Sequence, residues 1–88
     1  MPTIAYFYGI AIRIYFRDHP PAHFHAIYEG EEAFVSIDTG EILEGHLPKA
    51  AARLVKEWAI ARQRELRENW LRAQQGRPLE RVAGPDDA

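Results

Sequence analysis

The chain has 88 residues, 47% of them hydrophobic and 27% charged, with a formal net charge of −2 and no cysteine. One small core is expected, burying about two-thirds of the unfolded surface, and disulfides and thiolate metal sites are excluded. The lack of a basic excess argues against a generic nucleic-acid binder, and no apolar run nears the roughly 18 residues that a bilayer span needs.

The opening MPTIAYFYGIAI has no basic start or cleavage site and alternates as a strand does, so it is read as a strand rather than a leader. TIAYFYG and IAIRIYF form two strands meeting at Gly9, or one long bent strand. In the second run Ile10, Ile12, Ile14 and Phe16 share a face, and Arg13 and Tyr15 take the other. HFHAIYEG alternates again, with Phe24, Ala26 and Tyr28 opposite His23, His25 and Ile27. EAFVSID points Ala33, Val35 and Ile37 inward, TG makes a turn, and the short EILEG follows. The expectation is an antiparallel sheet of four to five strands over about residues 3–45.

From Pro48 the pattern changes to a helix over about residues 48–75, rich in Ala, Leu, Arg and Glu and ended by Gly76 and Pro78. At roughly 40 Å it is long for so small a domain, and it either kinks or overhangs the sheet to meet a partner. Ala51, Leu54, Val55, Trp58, Ala59, Leu66, Trp70 and Ala73 form one apolar stripe. Lys49, Arg53, Lys56, Arg64 and Arg67 gather opposite, as a solvated face or a contact for nucleic acid or an acidic partner. Arg62 and Asn69 interrupt the apolar stripe. Arg62 is expected to lay its stem on Trp58, pair with an acid of the sheet, or hold an anion beside the histidines. Asn69 is expected to bond to backbone. The whole is an α+β domain over residues 1–82, followed by a disordered tail at 83–88.

Charge is unevenly spread. Asp18 to His46 holds seven acids and no Lys or Arg, whereas Lys49 to Arg81 holds nine basic residues and four acids.

FRDHPPAHFHA carries three of the four histidines. His23 and His25, two apart on a strand, project from the same side and are a candidate metal pair. A third ligand would come from His19, His46 or a carboxylate, and Asp18 is placed to orient an imidazole. Bound zinc, nickel or manganese would follow. Equally, His23 and His25 form an acid–base pair for phosphodiester cleavage, with His19 in support, or bind phosphate. The third reading is a chain reversal with water-facing rings.

The segments MPTIAYFYGIAIRIYFRDHPPAHFHAIY, EILEGHLP, LVKEWA and ENW resemble the bacterial family called domain of unknown function 4160, over residues 1 to about 82. Ala22 stands where that family usually has a third proline. The family motif falls on Asp18, His19, Pro20, Pro21, His23, Phe24, His25, Glu57, Trp58, Asn69 and Trp70. The resemblance implies a cytoplasmic component of a two-gene toxin–antitoxin-like module. Its partner would be a small protein encoded nearby, of the domain of unknown function 2442 type. It leaves open a toxin acting on RNA through His23 and His25, helped by His19 and Arg62. It leaves open equally a non-catalytic module that binds a partner protein, DNA or RNA, or a second copy of itself.

Overall fold

The computed structural model describes residues 3–87, leaving Met1, Pro2 and Ala88 of the expected domain and tail outside the described residues. Five antiparallel strands form one sheet in chain order: β1 (Thr3–Phe7), β2 (Ile10–Arg13), β3 (His23–Tyr28), β4 (Glu31–Ser36) and β5 (Ile42–Gly45). Two-residue reversals join the first and second hairpins, Tyr8–Gly9 and Glu29–Gly30, and all four residues sit at positive φ. That geometry matches the twist of paired strands, and glycine at the second position adopts it without strain.

Period-two alternation does the rest. Ile10, Ile12, Phe24, Ala26, Ala33 and Val35 are buried on one face, where Trp58, Val55, Ala59 and Leu66 of the helices complete the core. His23, His25 and Phe34 fall on the opposite face by the same alternation.

The single helix expected over 48–75 is in fact two, α1 (Lys49–Ala61) and α2 (Gln63–Gln74), separated by Arg62 at φ −110° and ψ 23°. Neither Gly nor Pro causes the break. Gln63 Nε2 donates to the carbonyls of Ile37 (3.0 Å) and Asp38 (2.8 Å), and Arg67 Nη2 donates to Asp38 Oδ1 at 3.1 Å. These contacts hold the start of α2 against the turn after β4. An unbroken helix over the same residues would run about 39 Å, beyond the 33 Å longest extent of the fold. The helix kinks; it does not overhang. Gly76 ends it at φ +69°.

The two edges of the sheet are finished differently. At β1 the C-terminal segment lies alongside: Val82 N–H donates to Ile4 O at 2.8 Å, and Trp58 Nε1 donates to Ala83 O at 2.7 Å. At β5 no further strand pairs among the described residues.

Candidate metal centre

The β2–β3 connection brings Asp18 to the histidines. Arg17 N–H donates to Ala73 O at 3.2 Å and Gln74 Nε2 to Asp18 O at 2.9 Å, so the end of α2 fixes the backbone of the loop. On the strand side, the Glu29–Gly30 turn sets the register, pairing His25 with Phe34 and Ile27 with Glu32. Glu32 therefore stands diagonal to His25 on the same face, within reach of its ring.

Both imidazoles are held the same way round. His23 Nδ1 lies 2.8 Å from the carbonyl of Pro21, which can only accept, so that nitrogen carries a proton. His25 Nδ1 lies 2.8 Å from Glu32 Oε2 and donates to that carboxylate. The two Nε2 atoms then turn towards one oxygen, Asp18 Oδ2, at 3.0 Å from His23 and 3.2 Å from His25. These atoms gather within 4.8 Å of one another. The site is walled by rings: Phe34 stacks on His23 at 5.6 Å, Trp70 stands 5.3 Å from it, and Tyr15 meets the His25 ring edge-on at 4.4 Å.

His23 and His25 are 2% and 6% exposed. Although Asp18 Oδ2 is near in distance, it lies out of line with His23 Nε2, and that buried nitrogen has no hydrogen-bond partner. Burial pushes the Asp18 carboxyl upward in pKa. The His25 hydrogen bond, the His19 amide and the charges of His23 and His25 together outweigh it, holding Asp18 below its ordinary 3.8.

Other residues singled out by sequence lie elsewhere or act differently. His19 is exposed, its amide donating to Asp18 Oδ1 at 2.9 Å and its Nε2 3.8 Å from the same oxygen. His46 is exposed and 4.0 Å from Glu31, well away from a ligand role in this cluster. Arg62 does not reach the histidines or the sheet; its guanidinium faces Glu65 at 3.6 Å, one helical turn on, because it occupies the break. Asn69 bonds backbone twice, Nδ2 to Glu80 O and Oδ1 from Glu80 N–H, both at 2.8 Å. Lys49 and Arg53 are exposed, and Lys56 pairs with Glu41. Asp18 was expected to orient a ring by accepting its second N–H, and its Oδ2 is hydrogen-bonded to His25 Nε2 at 3.2 Å, while Pro21 O and Glu32 take the Nδ1 side of the two rings. Glu32 went unnoticed in sequence, yet a two-residue turn at Glu29–Gly30 dictates its position.

Fold and site together define a small α+β domain that carries an Asp–His–His cluster, its two imidazoles buried, on the sheet face opposite the apolar core. The chain belongs to the family described as Domain of unknown function (DUF4160), whose model matches residues 9–71. No curated protein and no solved structure matches it. No helix among the described residues is long and apolar enough to cross a membrane.

Proposed function

We propose that this chain is a metal-binding domain in which His23 Nε2, His25 Nε2 and the Asp18 carboxylate hold one divalent transition ion, such as zinc, nickel or manganese. The observation that carries this is the buried, unpartnered Nε2 of His23, aimed into a cluster with a second Nε2 and a carboxylate. His25 bonds a carboxylate through each ring nitrogen, Glu32 at Nδ1 and Asp18 at Nε2, whereas His23 Nε2 is left without a partner. A cation shared by both Nε2 atoms and Asp18 would replace the His25–Asp18 proton and engage the left-over nitrogen of His23.

The spacing to Asp18 suits it, and the two Nε2 atoms stand within 4.8 Å of each other. Ligand atoms about 2.0–2.1 Å from one ion stand about 3.0–3.4 Å apart in octahedral or tetrahedral arrangements. The Asp18–histidine separations are 3.0 and 3.2 Å. Two imidazoles and a carboxylate are a recurrent ligand set for such ions. The N–H groups given to Pro21 and Glu32 are the outer contacts that metal-bound histidines usually make.

An ion here would tie the loop at Asp18 to β3, and through the loop's bonds to Ala73 and Gln74, to α2. That is a structural role, and it suits a braced scaffold that presents a surface to a partner protein, as a toxin–antitoxin-like component would. Acid–base cleavage of RNA is less well supported, since a ring nitrogen must come within about 3 Å of the substrate and both rings are buried. Growth arrest on expressing the chain alone, lost in His23→Ala, would favour the ribonuclease instead.

Calorimetric titration of chelator-treated protein with zinc, nickel and manganese tests the proposal. One ion per chain should bind, at least tenfold more weakly in each of Asp18→Ala, His23→Ala and His25→Ala, and unchanged in His46→Ala. No binding, or binding indifferent to all three ligand substitutions, would overturn it.

A further inference from the structure

Every edge strand offers unpaired N–H and C=O groups, and proteins usually cover or block such edges. Here one edge is covered and the other is not. The segment around Val82 and Ala83 closes β1. β5 ends the sheet with Ile42 and Leu43 36% and 47% exposed, and no Lys or Pro interrupts Ile42–Gly45. The register shift opposite Phe34 and Val35 leaves Leu43 as the extra residue of a bulge, so the edge is guarded only by that bulge, its four-residue length and the charge of Glu44 among the described residues.

Beside that edge runs a groove of about 520 Å³, with Glu41 and Ile42 on the strand side and Lys49, Ala52, Arg53 and Lys56 on the helix side. Lys56 is paired with Glu41, so those two charges cancel. Lys49 and Arg53 are exposed and make no ion pair among the described residues, so the groove wall is left positive. Glu44 pairs in register with Phe34, on the sheet face turned away from the helices.

We infer that β5 is a docking strand for an extended acidic segment of a partner protein, which adds to the sheet as a sixth strand. Main-chain bonds to the open edge supply affinity, and alternate side chains supply selectivity. Residues of the incoming strand that face α1 meet Lys49 and Arg53 and are acidic, with a small apolar residue against Ile42 and Ala52. The residues between them face the Glu44 side and are not acidic. Complementary charge steers such a segment to this edge and away from the acidic sheet face. The inference stands apart from the metal centre and needs no ion.

The test is selection from a displayed library of random ten-residue peptides on the full-length protein, repeated on the Lys49→Glu/Arg53→Glu double variant. Both substituted positions are exposed on α1, so the fold survives them; circular dichroism checks this. Enriched peptides should carry acids at alternate positions, bind the double variant at least tenfold more weakly, and slow amide exchange at Leu43 and Glu44. No enrichment, enrichment without acid alternation, or peptides indifferent to the double variant would overturn the inference. So would concentration-dependent protection of Leu43 and Glu44 in the protein alone, which would give the edge to a second copy.

Discussion

Asn69 and His23 are equally buried, each 2% exposed, but their polar atoms fare differently. Asn69 spends its amide on both backbone groups of Glu80 and fastens the C-terminal strap to α2. His23 uses Nδ1 on Pro21 and leaves Nε2 without a hydrogen bond, beside a second imidazole and a carboxylate. An unsatisfied buried polar group costs about 1–3 kcal/mol. A fold that satisfies one such group fully and leaves another open is marking the second for a task other than stability. Asn69 is architecture. His23 is a ligand.

The contrast can be broken from either side. Asn69→Ala removes the buried amide that holds both backbone groups of Glu80 and should destabilise the domain by about 1–3 kcal/mol. Urea unfolding should show that loss equally with zinc and with chelator. His23→Phe should behave in the opposite way. In chelator its stability should stay within about 1 kcal/mol of the parent, since the awkward nitrogen is gone and Pro21 O is left to water. Zinc at a hundred times its Kd should raise the parent by about 2.7 kcal/mol and His23→Phe by nothing.

Glu32→Gln is finer. It keeps the shape but weakens the hold on His25, so metal affinity should fall about 10- to 100-fold while the melting temperature in chelator barely moves. The smallest effect concerns acid. Asp18 in the fold titrates below its ordinary 3.8. Its contribution to stability is therefore whole above pH 3.8 and is lost as pH falls through the lower, folded value. Acid titration of the metal-free protein should show this limb, and Asp18→Asn should lack it.

The sheet and the pairing of His23 with His25 on one face were legible because side chains alternate along a strand, and Ile10, Ile12, Phe24 and Ala26 announce the buried side. The C-terminus of the helical region was legible at Gly76, whose positive φ ends α2. The break at Arg62 was not, because its cause is the bond from Gln63 to the turn after β4, a contact that no local propensity encodes. For the same reason Arg62, read as laying its stem on Trp58, pairing with an acid of the sheet or holding an anion, instead faces Glu65 at the break. At the site, the two imidazoles came from spacing alone. Glu32 followed from the hairpin register but needed the turn to be placed first. Asp18 reached Nε2 only through a loop held by Ala73 and Gln74, some 55 residues away in sequence, and no pattern near it says so.

The most direct test of the central claim is long-range proton–nitrogen NMR of the four imidazoles during a zinc titration. The Nε2 signals of His23 and His25 should move together to metal-bound values at one equivalent, both Nδ1 atoms staying protonated, while His46 stays unchanged. Movement confined to His19 or His46, or zinc that leaves His23 and His25 untouched, would contradict the account.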